Sequence, residues 1–268
     1  MVRFAPEDES LTLGSLIMAA SLGLATLSAL GPTSTGPDGF VHVAVYRGPA
    51  GCEGCSEAAQ RAIEGSDARY RVDLVGPDEA IDISAETLAR YDLYVQPGGG
   101  QDMDASFHSF GDERVNAIRD FVAGGGGYLG LCMGAYLAGG SHLGLVPHEM
   151  DSEVGRPGFP IQTIEDAAID LTWAGRANTI FFQDGAYLLR SDDDPEFRTI
   201  ATYENGDIAA ARYGFGRGIV VLSGPHPEAD AGWFEGAHLP LERMHQGRPM
   251  DDLLAAFRRN SLQAAATR

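Results

Sequence analysis

The chain has 268 residues, 44% of them hydrophobic, and a formal net charge of −19. That is enough apolar material to bury a core in one large domain or two small ones, and an acidic surface whose only Lys or Arg residues are arginines repels phosphate backbones, so no nucleic-acid partner is expected. Three cysteines are too few for a disulfide framework and do not supply four zinc ligands, so no metal and no cofactor is expected.

Residues 11–30, LTLGSLIMAASLGLATLSAL, carry no charge and reach the roughly 20 residues of a bilayer-crossing helix. Glu7, Asp8 and Glu9 outweigh Arg3 ahead of them and no clean small-x-small site follows, which speaks against a signal peptide. The many Ala, Gly, Ser and Thr positions weaken the segment as an anchor. Membrane contact through residues 11–30, by anchoring or export, is the expectation, and a cytoplasmic chain the alternative. GPTSTGPDGF reads as a linker, so the chain divides into an apolar segment with linker over 1–40 and one α/β domain over 41–268.

Val41 to Tyr46 reads as a first strand, followed by a Gly/Pro turn, the pair Cys52 and Cys55, and a helix near Ser56 to Glu64. A CxxC at a helix start is a candidate redox pair with lowered thiol pKa, or a local disulfide in an exported chain. Arg71 to Val75 reads as a second strand, Ala85 to Arg90 as a short helix, and Leu93 to Gln96 as a third strand that stops at Pro97-Gly98-Gly99-Gly100. Asp112 to Val122 sets Val115, Ile118, Phe121 and Val122 on one helical face, and a fourth strand then leads into Gly130-Leu131-Cys132-Met133-Gly134. Strands alternating with helices predict a doubly wound, mostly parallel sheet whose ligands sit beyond the carboxyl ends of its strands. Both glycine-rich turns fall at such ends.

Glycines bracket Cys132 at the spacing of a nucleophile elbow, a strained strand-to-helix turn that lifts one side chain clear of the sheet. Beyond it the chain is β-rich. Ile161 to Ile164, Thr179 to Gln183, Ala186 to Leu189, Thr199 to Tyr203, Ile208 to Tyr213 and Ile219 to Ser223 read as short strands, with Asp184-Gly185 and Asn205-Gly206 as tight-hairpin signals. GFGRG at Gly214 to Gly218 lies between two strands and reads as a hairpin turn rather than a phosphate cradle. The last of these strands ends in Gly224-Pro225-His226-Pro227-Glu228. In an extended segment i and i+2 point the same way, so Glu228 can orient the His226 ring, and Cys132, His226 and Glu228 become candidates for nucleophile, base and orienter. Met250 to Ala264 closes the chain as an amphipathic helix with Leu253, Leu254 and Phe257 inward.

The pieces VAVYRGPAGC, VQPGGG, GGGGYLGLCMGAYLAGG and DIAAARYGFGRGIVVLSGPHPE together resemble the class I glutamine amidotransferase superfamily, over roughly residues 41–230. In detail they are most similar to the amidotransferase-like domain at the N-terminus of eukaryotic biotin–protein ligases and to its free-standing bacterial versions. The resemblance implies a flavodoxin-like fold, a Cys132-His226-Glu228 triad, and an oxyanion hole formed by the N–H of Met133 and one from Gly98, Gly99 or Gly100. About forty residues follow the HPE, too few for a ligase domain, so biotinylation is not expected of this chain. Glutamine-using members continue the elbow as GxCxGxQ, whereas Tyr136 stands at the Gln position here. The expected activity is therefore a cysteine-dependent amidohydrolase acting through an acyl-enzyme on a small amide. The alternative is a catalytically silent ligand-binding or regulatory module of the same fold. The sequence points to no protein partner.

Overall fold

A computed structural model of the protein describes residues 38–67, 69–245 and 247–258. The apolar stretch 11–30 and most of the linker lie outside them. Among the described residues no helix is long and apolar enough to cross a membrane.

The first half alternates strands and helices: β1 (Val41–Tyr46), α1 (Cys55–Ser66), β2 (Tyr70–Val75), α2 (Ala85–Leu88), β3 (Leu93–Gln96), α3 (Met103–His108), α4 (Gly111–Ala123), β4 (Gly127–Leu131) and α5 (Met133–Tyr136). The second half is mainly β: β5 (Asp151–Ser152), β6 (Ala167–Trp173), β7 (Arg176–Phe182), β8 (Ala186–Tyr187), β9 (Arg198–Tyr203), β10 (Ile208–Phe215) and β11 (Gly218–Ser223), then α6 (Ala231–Gly236) and α7 (Pro249–Ala255). One mixed sheet runs β2-β1-β3-β4-β11-β10-β9-β6-β7, and β5 pairs with β8 apart from it. The strands from β2 to β11 in that order are parallel, and β10, β9, β6 and β7 add antiparallel pairs.

Side-chain alternation builds a core on each face of the sheet. Val43, Val45, Leu129, Leu131, Ile219 and Val221 pack on Ala59 and Ile63 of α1 and on Leu253, Leu254 and Phe257 at the chain's end. Tyr46, Tyr94, Tyr128, Val220 and Leu222 pack on the other side with Ile118 and Val122 of α4. After β1 and β2 the chain returns to the opposite side of β1 to lay down β3. The β1/β3 boundary is thus the point where winding reverses, the place where open α/β sheets bind ligands.

The antiparallel half departs from the sequence reading in four places. Ile161 to Ile164 form no strand, and Ile164 is exposed, because nothing pairs with that segment. The alternation Ile169-Asp170-Leu171-Thr172-Trp173 instead marks β6, with Ile169, Leu171 and Trp173 buried. Asp184-Gly185 is no hairpin, since β8 pairs with β5 and not with β7, and Asp184 at φ 47° turns the chain toward the site. The final helix spans Pro249–Ala255, shorter than Met250 to Ala264, and residues 259–264 lie outside the described residues. Asn205-Gly206 does turn β9 into β10, with Gly206 at φ 93°, and Gly216-Arg217 turns β10 into β11. The short helix α3 has no counterpart in the sequence reading.

Glu153 clamps the loop after β5 to the rest. Its N–H donates to Gly185 O at 3.0 Å, and Asn205 Nδ2 donates to its Oε1 at 2.7 Å. The side chain has no exposed surface, Oε2 has no hydrogen-bond partner, and Arg156 Nε stands 3.7 Å away. Burial foremost, with the Asp207 charge adding to it, pushes the carboxyl up to about 7 against the opposing pull of Asn205 and Arg156. The folded state therefore holds this proton more tightly than the unfolded state, and stability falls as pH rises from the ordinary Glu value through about 7. Glu153→Gln removes that penalty. Relative to the unsubstituted protein, its unfolding free energy in urea is expected to improve by up to about 3 kcal/mol between pH 5 and pH 8. A difference that does not change with pH would contradict the assignment.

Candidate active site

Three strand ends build the site. At the end of β4, Cys132 has φ 51° and ψ −112°, a conformation that costs free energy in any residue with a Cβ. The surroundings over-determine it. Cys132 N–H donates to Ser223 O at 2.8 Å, extending the β4–β11 ladder through the turn, and Ala135 N–H donates back to Cys132 O at 2.8 Å. A Cβ on Gly130 would collide with Gly134 O, and one on Gly134 would collide with Gln96 O, so both flanking positions exclude side chains. The buried Tyr128 hydroxyl donates to Gly134 O at 2.7 Å and holds the turn from below.

The segment beyond β11 crosses toward the antiparallel half. Gly224 N–H donates to Ala209 O and His226 N–H to Phe181 O, each at 2.9 Å. His226 is buried in a three-ring cluster with Phe181 and Trp233, with centroids at 5.9 and 5.1 Å from its own. Its Nδ1 is 2.9 Å from Glu228 Oε1, and Glu228 is also buried. A carboxylate only accepts, so Nδ1 carries a proton and donates it to Glu228, while the buried Nε2 is turned away from that carboxylate. Burial, the largest influence on the imidazole, pushes its pKa down. The adjacent Cys132 and Glu228 outweigh it and hold the ring well above the usual histidine value.

The PGGG loop after β3 closes the site. A methyl group placed on Gly98 would lie 3.0 Å from His226 Cε1, 3.7 Å from Cys132 Cβ and 3.8 Å from Cys52 Sγ, so one glycine borders all three side chains. Gly99 lies against the Met133 side chain, which sets the loop beside the start of α5, where the Met133 N–H has no acceptor within the helix. Gly100 faces open space. Cys52 and Cys55 form a disulfide, and Cys52 N–H donates to Gly98 O at 3.0 Å, bringing the CxxC turn onto the loop.

Tyr136 lines a cavity of about 180 Å³ together with Gly99, Gly100, Cys132 and Met133. Its hydroxyl donates to Asp184 O at 2.9 Å, and burial raises its pKa far above the ordinary tyrosine value. Asp151, Ser152 and Asp184 complete the wall, with Ser152 Oγ donating to Asp184 Oδ1 at 2.5 Å. Cys132, Met133, Gly99, Gly100 and Tyr136 thus surround one cavity, His226 and Cys52 lie against Gly98 beside it, Glu228 stands behind His226, and Cys55 is buried in the first turn of α1. A sulfur on a strained turn beside an imidazole tied to a carboxylate is a set of groups suited to moving a proton off that sulfur.

Sequence reasoning misses the residues that frame this set. Phe181 and Trp233 carry no motif, and only the fold brings them to His226. Gln96 reads as the end of a strand, yet its Nε2 donates to Ala50 O and its Oε1 accepts from the Tyr94 hydroxyl, both at 2.8 Å, tying the CxxC turn to β3. Asp184 has a local signal, its Asp-Gly dipeptide, which marks a corner rather than a hairpin.

Residues 41–157 match the family model described as Biotin-protein ligase, N terminal. The biotin–protein ligase of Schizosaccharomyces pombe is 32% identical over 165 residues, which cover 52% of this chain and 26% of the ligase. The chain thus spans about a quarter of the length of that relative. The imidazole glycerol phosphate synthase subunit HisH of Rhodopirellula baltica is 27% identical over 176 residues, covering 60% of this chain and 83% of HisH. Among solved structures, a glutamine amidotransferase aligns at TM-score 0.51 and 16% identity over 74% of this chain and 99% of its own. A protein from Thermoplasma acidophilum assigned to GMP synthase aligns at TM-score 0.51 and 14% identity over 81% and 92%. The resemblance to the class I amidotransferase-like superfamily, and within it to the biotin–protein ligase N-terminal domain, therefore holds, and the fold is the amidotransferase fold with added antiparallel strands.

The raised His226 pKa has a checkable sign. Proton binding by this ring stabilises the fold fully below the unfolded-state value and is lost as pH rises through the higher folded-state value. In a proton-detected NMR titration the ring is expected to stay protonated above the ordinary histidine range, and Glu228→Gln to move its titration downward. An unchanged titration in that variant would show that Glu228 does not hold the proton.

Proposed function

We propose that the protein is a cysteine-dependent amidohydrolase in which Cys132 is the nucleophile, His226 the base and Glu228 the group that orients it. The observation that carries this reading is the 2.9 Å His226–Glu228 contact, which orients the ring against the same glycine, Gly98, that borders Cys132 at φ 51°. With the Cys132 proton resting on the His226 imidazolium, the thiolate Sγ attacks the amide carbonyl carbon. The oxyanion is held by the Met133 N–H and a donor of the Gly98 to Gly100 loop, each such donor worth about 3 to 4 kcal/mol. The C–N bond breaks as His226 returns its proton to the leaving amine. Water, deprotonated by the same ring, then attacks the thioester, releasing the acid and regenerating Cys132. Net, one amide and one water give one acid and one amine.

The cavity supports a small substrate, and its nearest charges, Asp151 and Asp184, favour an amide bearing an ammonium group over one bearing a lone carboxylate. Tyr136 fills the position from which glutamine-using relatives present an amide, so glutamine itself is not the substrate favoured here. A second reading, a silent binding module of the same fold, has one observation behind it. Cys132 Sγ–H donates to Gln183 O at 3.5 Å, a contact that would hold the sulfur as a thiol.

Reaction of the reduced protein with a small electrophilic amide analogue, followed by peptide mass mapping, separates the two. Labelling of Cys132 that is absent in Cys132→Ala and slowed by about 100-fold or more in His226→Ala supports the hydrolase. Labelling at the same rate without His226, or none at an accessible thiol, supports the silent module.

A further inference from the structure

Cys132 lines the cavity, Cys52 lies against Gly98 beside it and is bridged to the buried Cys55, and the bridged pair has no part in the chemistry above. The Cys52–Cys55 bridge closes a loop with a sequence separation of 3, the kind of short loop whose closure stabilises a fold least. Its placement asks for another explanation. The bridge sits where the sheet winding reverses, with Cys52 half-buried and bonded through its N–H to Gly98 O, and a methyl group on Gly98 would touch both Cys52 Sγ, at 3.8 Å, and Cys132 Cβ, at 3.7 Å. Cys55 is buried at the first position of α1, a helix of 12 residues whose N-terminal N–H groups and dipole favour a thiolate. The two sulfurs are therefore unequal. Cys52 is the accessible one and Cys55 the better leaving group.

We propose that Cys132, Cys52 and Cys55 form a thiol–disulfide exchange relay that masks and unmasks Cys132. The Cys132 thiolate, its proton taken by His226, attacks Cys52 Sγ. The Cys52–Cys55 bond breaks, a Cys132–Cys52 bond forms, and the electron pair leaves on Cys55, which the helix start receives as a thiolate or, with the proton from His226, as a thiol. One disulfide is exchanged for another, so no outside oxidant is consumed. A dithiol reductant, giving up two electrons and two protons, opens either bridge and frees Cys132. Gly98 is the position that permits this, because any side chain there would enter the space shared by His226, Cys132 and Cys52. The exchange needs only an accessible Cys132 thiol; that masking also switches an activity rests on the hydrolase reading above.

The test uses the purified full chain without reductant, acid-quenched and mapped by non-reducing peptide mass spectrometry, with iodoacetamide labelling of Cys132 as the second readout. Cys132–Cys52 cross-linked peptides are expected beside Cys52–Cys55 peptides, and the Cys132 labelling rate is expected to rise on adding dithiothreitol in proportion to the cross-linked fraction. In Cys52→Ser, labelling of Cys132 becomes independent of dithiothreitol. In Cys55→Ser, mild oxidation with oxidised glutathione locks Cys132 to Cys52. The proposal is overturned if the unsubstituted protein shows only the Cys52–Cys55 bridge and labels at one rate with or without dithiothreitol, a comparison that needs no variant. Failure of the hydrolase reading looks different, since reduced protein would then label freely with iodoacetamide yet give no adduct with the amide analogue.

Discussion

The contact on which the site depends is the packing of Gly134 against the carbonyl of Gln96. It presses the first turn of α5 onto the end of β3, and with Gly130 lying equally close to Gly134 O it leaves the chain between them one path, through a positive φ at Cys132. Strain at a residue with a Cβ persists only where neighbours over-determine it. Here the Tyr128 hydroxyl, the Ser223 carbonyl and the two glycines do so from separate directions. Gln96 extends the same constraint outward. Its side chain binds Ala50 O, and Ala50 N–H in turn donates to the Tyr46 hydroxyl, so the CxxC turn is tied to the strand end that seats the elbow. Elbow, PGGG loop and CxxC turn form one connected unit.

That unit explains how a sheet with modest individual motifs produces a concentrated site. Parallel strands deliver their carboxyl ends to one edge, and the reversal of winding between β1 and β3 opens a gap there. The antiparallel extension contributes from the other side. β7 supplies the Phe181 carbonyl that fixes the His226 backbone, and the corner at Asp184 supplies the acceptor for Tyr136. Tyr136 is thereby more than a missing amide. It is a wall anchored to the second half of the chain.

The parallel half was legible because its signals are local. Alternation sets the strands, and an elbow and a glycine loop at strand ends exclude side chains, so GLCMG and PGGG stand out in the sequence. Cys132, His226 and Glu228 could be brought together on paper for the same reason: two motifs at strand ends leave few places to go. The antiparallel half was less legible because partner choice decides it. Ile161 to Ile164 has strand composition but no partner, whereas Ile169 to Trp173 has both the alternation and a partner on each side. Phe181 and Trp233 around His226, and Gln96 beneath the CxxC turn, depend on long-range packing that no short window contains.

On the proposed reading the constrained turn presents Cys132 as a nucleophile working with His226. Intact-mass measurement of the reduced protein, mixed rapidly with a small activated ester and mapped at the peptide level, tests it most directly. A hydroxylamine-sensitive acyl group is expected to form on Cys132 and then disappear by hydrolysis, and to persist when His226 is replaced by a residue unable to activate water. An acyl group found on Cys52 or Cys55 instead, or no adduct while the Cys132 thiol remains titratable, would contradict it.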